Sequence, residues 1–103
     1  MNNKFSYDSE NYELKALSGG YFRIQYSDKT IGYIKEANIQ RGKDNKLTTS
    51  YGQLIVPEIT IPGSISMETL DITEFGEVRG YDASEGRVAY LGSIIFYTDD
   101  LIG

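Results

Sequence analysis

The sequence predicts an all-β fold: a single domain, a β-sandwich or distorted barrel of short, mostly antiparallel strands. Three observations carry that prediction. Apolar and polar residues alternate over short runs, the period of a half-buried strand. Turn clusters of Gly, Asp, Asn, Ser and Pro recur about every 8–12 residues, the spacing of a sandwich or barrel. No stretch of about ten or more residues has helical periodicity. The turn count implies about seven to ten strands.

The elements follow in order. Residues 1–11 are polar and patternless, so a disordered or weakly ordered end is expected before a β-domain over 12–103. Tyr12 to Ala16 alternates, and Ser18-Gly19-Gly20 breaks it. Phe22, Ile24 and Tyr26 alternate with Arg23 and Gln25, Ser27-Asp28-Lys29 is turn chemistry, and Thr30 to Lys35 returns. That pair predicts a hairpin, although its loop lacks the Asn-Gly of the tightest turns. Glu36 to Arg41 reads as an extended or bent strand centred on Ile39, ended by the Gly42 to Asn45 turn. Leu47 to Thr49 is a short strand, and Ser50 to Gln53 turns the chain again. Leu54-Ile55-Val56 is apolar on both faces, and Pro57 confines pairing there to an edge or bulge. Ile59-Thr60-Ile61 alternates before the turn dipeptide Pro62-Gly63. Ile65 and Met67 share one face of the next strand, as do Leu70 and Ile72. Val78 to Tyr81 follows the Glu74 to Glu77 turn, and Asp82 to Gly86 is a loop. Arg87 to Tyr97 is apolar on both faces in its second half, which predicts a central strand. The expected core is Phe22, Ile24, Leu54, Val56, Ile61, Ile72, Val78, Leu91, Ile94 and Phe96.

Composition excludes several functions. The chain has 103 residues, room for one domain. No apolar run approaches the ~20 residues that span a bilayer, and Gly92-Ser93 interrupts the longest candidate, so no membrane partner is expected. The start, MNNKFSYDSENY, has no apolar signal-peptide region. Net charge is -5 and the ten Lys and Arg are scattered, which argues against nucleic acid as a partner. Cysteine and histidine are absent, so disulfides, Cys/His zinc sites and Ser–His or Cys–His nucleophile pairs are excluded. The loops at Asp44-Asn45 and Asp82 to Gly86 lack the ligand density of a calcium site. The glycines at 19, 20, 76, 80, 86 and 92 form neither G-x-G-x-x-G nor a P-loop. Nothing sets Asp82, Glu85, Asp99 or Asp100 in the facing pair, ~5–10 Å apart, that a glycosidase needs. No catalytic, metal or cofactor residue is assigned, no cofactor is expected, and an enzyme is the least favoured class.

One ordered set of motifs goes further. Gly20-Tyr21-Phe22-Arg23-Ile24 resembles the "GFF-x-V" strand of flagellar rod and hook proteins. Thr30-Ile31-Gly32-Tyr33-Ile34-Lys35 is similar to their "G-x-x-x-YTR" strand. Asp44 to Leu47 with Tyr51-Gly52-Gln53-Leu54 resembles "D-x-G-x-L-V-T-x-x-G-x-x-L", and Pro57-Glu58-Ile59-Thr60-Ile61-Pro62 resembles "P-x-I-x-IP". Ile72 to Val78, with Gly76, is similar to "I-x-x-D-G-x-V". Leu91-Gly92-Ser93-Ile94 with Phe96 resembles "x-G-x-I-x-L-x-x-F", and Asp100-Leu101 falls where the family often has "NPAGL". Ala37, Ile39, Lys46 and Phe75 depart from the family pattern. The likeness runs in unbroken order from Gly19 to Leu101 and is greatest to the distal-rod proteins.

The resemblance implies the outer β-domain of an axial structural protein of the basal-body rod, which packs against other axial subunits and transmits torque. It implies export by the flagellum's own type III route, without a cleaved signal peptide, to the periplasm-spanning rod. The family's terminal helices are missing here, so the chain is expected to be a trimmed outer domain or a stand-alone relative, and monomeric when isolated. A reading of another class is a carbohydrate-binding β-module that uses exposed tyrosines from the set Tyr21, Tyr26, Tyr33, Tyr51, Tyr81, Tyr90 and Tyr97.

Overall fold

The computed structural model describes residues 3–102. Ten strands form two antiparallel sheets. They are β1 (Phe5–Asp8), β2 (Glu13–Ala16), β3 (Phe22–Gln25), β4 (Ile31–Ile34), β5 (Glu36–Arg41), β6 (Leu47–Thr49), β7 (Leu54–Val56), β8 (Asp71–Ile72), β9 (Glu77–Asp82) and β10 (Arg87–Ser93). A seven-stranded sheet has the order β1-β2-β5-β6-β7-β3-β4, and a three-stranded sheet the order β10-β9-β8. The all-β class and the antiparallel pairing are as expected, and neither sheet closes into a barrel. Lys35 alone separates β4 from β5, although two further strands and β3 lie between them in the sheet. The sheet therefore curls until these strands meet at a corner, where the Ala16 N–H donates to the Lys35 carbonyl at 2.7 Å.

Register explains which face is buried. Ile24 stands opposite Ile55, so both enter the core, while Leu54 and Val56 stand opposite Gln25 and Arg23 on the outer face. A run that is apolar on both faces cannot show this by itself, and the expected core places of Leu54 and Val56 pass to Ile55. Phe22, Ile24, Ile61, Ile72, Val78 and Ile94 are buried as expected, and Leu91 and Phe96 pack partly buried against them. Leu14, Ile39, Leu47, Ile59, Ile65 and Leu70 complete the core with Phe5.

Three further expectations are corrected. The weakly ordered start does not extend through Phe5–Asp8, which forms β1 against β2 in the register Phe5↔Ala16 to Asp8↔Glu13. Phe5 is only 2% exposed and meets the Phe96 ring edge-on, with centroids 5.7 Å apart. The amides of Lys4 and Phe5 both reach the Glu74 carbonyl at 2.9 Å. Met1 and Asn2 lie outside the described residues. Second, β10 is an edge strand and not a central one. A bulge between Tyr90 and Gly92, with Gly92 at φ +152°, disrupts its register, and the strand ends at Ser93. The apolar residues beyond it leave the sheet to cover the core, so the double-faced pattern mixes two tasks. Third, Met67 does not continue a strand from Ile65. Met67–Thr69 forms a 3-10 turn in which the Ser66 hydroxyl accepts the Glu68 N–H at 3.3 Å, and Ile65 makes a lone bridge to Asp82.

Candidate interaction surface

The β3–β4 hairpin sets the site. Its inner face buries Phe22 and Ile24. Alternation then turns Tyr21, Arg23 and Gln25 outward, and pairing places Tyr33 opposite Arg23. Two cations lie on aromatic rings here. The Arg23 guanidinium sits 4.6 Å from the Tyr97 ring centroid and 5.4 Å from that of Tyr33, and it donates to the Tyr33 hydroxyl at 3.1 Å. Lys35 Nζ lies 5.4 Å from the Tyr21 ring centroid. The Tyr33 and Tyr97 rings meet edge-on at 5.4 Å.

The segment after β10 completes this face. Tyr21 and Tyr97 exchange backbone hydrogen bonds of 2.8 and 2.9 Å. A Cβ on Gly20 would fall 2.1 Å from the Phe96 ring, so only glycine admits that ring. Asp99 accepts a hydrogen bond from the Tyr21 hydroxyl and raises its pKa, with its negative charge adding to the effect. The Nε–H of Arg23 is buried and finds no partner among the described residues.

The motif positions are spread across the fold and do not form one pocket. Phe22, Leu47, Ile59 and Ile61 are core residues, Leu54 is half-buried, and Pro62 is exposed. Gly32 lies under the Tyr26 ring, where a Cβ would meet it at 2.8 Å. Gly52 turns the chain at φ +83°, and Pro57 follows a cis peptide bond after β7. Gly76 adopts φ +95° with the Ile94 carbonyl and the Phe5 ring close behind it, and Gly92 forms the bulge. Gly20, Tyr21 and Tyr33 are the motif positions that meet at the outer face of the hairpin. Arg23 and Lys35 are the functional candidates to which sequence reading gave no role, whereas Tyr97 entered only as one of the seven tyrosines of the alternative reading. Alternation alone puts Arg23 and Lys35 on the outer face, but only the fold brings Tyr97 to Arg23.

Other surfaces differ. The outer face of the three-stranded sheet exposes Tyr81, Val88 and Tyr90 beside an Arg79–Asp71 ion pair of 3.2 Å. A groove of about 360 Å³ lies at the corner between β4 and β5, with Tyr26 and Tyr51 on its walls and Glu13 and Glu36 on its rim. The seven tyrosines do not form one platform: Tyr21, Tyr33 and Tyr97 meet at the hairpin face with Arg23 and Lys35, Tyr26 covers Gly32, and Tyr51, Tyr81 and Tyr90 are exposed elsewhere.

The carboxylates serve local turns. Asp8, Asp28 and Asp82 are held below the usual carboxyl range, first by side-chain bonds from Asn11, Thr30 and Ser84 respectively. Among the described residues, no group of three or more Asp or Glu is placed to hold a metal ion. No helix is long and apolar enough to cross a membrane among them.

The profile of the flagellar hook protein FlgE/F/G D1 domain matches residues 16–80, more than half of the chain, and the chain belongs to that family. Among curated relatives it is similar to the flagellar basal-body rod protein FlgG of Buchnera aphidicola subsp. Schizaphis graminum (strain Sg). The two are 39% identical over 54 residues, which cover 50% of this chain and 21% of that protein. FlgG of Buchnera aphidicola subsp. Acyrthosiphon pisum (strain APS) is 36% identical over 50 residues, 48% of this chain and 19% of that protein. The matched segment thus spans about a fifth of each relative's length.

Proposed function

We propose that this chain is an outer β-domain of a flagellar axial structural protein in the basal-body rod. It packs against neighbouring axial subunits and carries torque between them, with no catalytic step of its own. The observation that carries this reading is the convergence of the two ends beside each other. The Phe5 and Phe96 rings touch, and the Lys4 amide bonds to Glu74 next to Gly76, which in turn accepts the Ile94 amide at 2.7 Å. Polypeptide on either side would leave from one place on the domain, so a pair of flanking segments could run together toward a filament axis. Family membership and the FlgG relatives support the same reading.

The isolated domain is a monomer in this reading. Its net charge of -5 makes identical copies repel at low salt. The intact protein reaches the rod by the flagellar export route without a cleaved signal. Mass spectrometry of basal bodies purified from the source cell tests the proposal: the protein is expected there at axial stoichiometry, with its native N-terminus uncleaved. Its absence from basal bodies of motile cells would overturn the reading.

A further inference from the structure

We infer that the outer face of β3 and β4 is a docking site for an acidic polypeptide segment, held by Arg23 and Lys35. The charge pattern is the first argument. The chain carries fifteen Asp and Glu against ten Lys and Arg, yet neither Arg23 nor Lys35 has a carboxylate within ion-pair distance among the described residues. Lys15, Lys46, Arg79 and Arg87 do, and of the six cations without such a carboxylate among the described residues, Arg23 and Lys35 are the two that lie on aromatic rings. The Asp99 carboxylate also stands beside this face, at the Tyr21 hydroxyl. Arg23 and Lys35 against Asp99 leave this face at +1 on a chain of net -5, which is complementary to acid.

Cost is the second argument. Arg23 is half-buried with its Nε–H shut away unpartnered, which is unfavourable for folding. An aliphatic side chain would fill the slot between Val56 and Tyr33 without that cost. The rings of Tyr33 and Tyr97 and the Tyr33 hydroxyl hold the guanidinium in place at this face, and a positioned guanidinium suits a carboxylate.

The sheet edge is the third argument, and it favours a polypeptide over other anions. β4 is the last strand of its sheet, so its outer backbone groups are open to an added strand. A polyphosphate has no backbone to pair with that edge and would gain nothing from it.

The inference does not depend on the axial reading, because it is tested on the isolated domain with a defined probe. Capped hexaglutamate is titrated into the ¹⁵N-labelled chain at low salt, with hexathymidylate and hexalysine in parallel. Saturable shifts are expected at Arg23, Tyr33, Lys35 and along β4. Affinity should fall at least about fivefold in the Arg23→Gln/Lys35→Gln double variant, the loss of two solvent-facing charge contacts. Lys35→Gln alone, at an exposed residue, keeps the fold and should weaken binding about twofold or more. Shifts centred instead on Lys29, Lys43 and Lys46 would overturn the site. So would an absence of saturable binding, or an affinity unchanged in both variants. Tighter binding of hexathymidylate on the same residues would overturn the polypeptide assignment.

Discussion

Phe5→Ala tests whether the first strand belongs to the core. Phe5 is 2% exposed, packs edge-on against Phe96, and lies behind Gly76. A buried aromatic side chain covers about 150–250 Å², which at about 25 cal/mol per Å² is roughly 4–6 kcal/mol as an upper bound. Direct Phe→Ala substitutions in cores cost about 3–5 kcal/mol. Here the loss has a ceiling. β1 pairs only with β2 and begins the described chain, so it can detach alone once its docking energy is exceeded. The expected loss is therefore about 3 kcal/mol, which for a domain of this size lowers Tm by roughly 12–24 °C. Urea unfolding followed by circular dichroism measures it, with hydrogen exchange on the Phe5–Asp8 amides as the local readout. A loss below about 0.5 kcal/mol, the range of ordinary surface substitutions, would show that β1 is peripheral and refute the reasoning.

Gly76→Ala should cost at least about 2 kcal/mol, because φ +95° is strained for alanine and its Cβ would fall 2.3 Å from the Ile94 carbonyl oxygen; a wild-type thermal midpoint would contradict that packing. Tyr7→Phe should leave stability unchanged or raise it by up to about 1 kcal/mol, since the buried hydroxyl has no partner and burial pushes its pKa up to about 12; a clear loss in urea unfolding would point to a bond that the structure does not contain. The depressed carboxyls of Asp8, Asp28 and Asp82 make stability fall with acid. Their contribution is complete above the ordinary carboxyl value of 3.8 and is lost as pH drops through the lower folded values. Urea midpoints at descending pH should show this, and Asp82→Asn should flatten the slope; an unchanged slope would remove Asp82 from the account.

Much of the fold was legible from local pattern. Alternation located β2 and β3 near their observed places, because a half-buried strand writes its two faces into every second residue, and the turns before them placed β4 and β9. Turn chemistry at Gly42 to Asn45, Ser50 to Gln53 and Asp82 to Gly86 marked where strands end, since those residues accept the needed backbone angles. The ordered motifs from Gly20 to Pro62 carried the family. β1 escaped notice because Phe5 and Tyr7 are too few to set a period among polar neighbours. What the sequence by itself determined is thus the class, the approximate strands and the family, all of which rest on short-range spacing. Which of Leu54, Ile55 and Val56 faces inward was decided by strand register, a pairing between residues far apart in the chain. The same holds for the place of Tyr97 over Arg23 and for the meeting of Phe5 with Phe96. These contacts join segments more than seventy residues apart, and only the curl of the sheets brings them together.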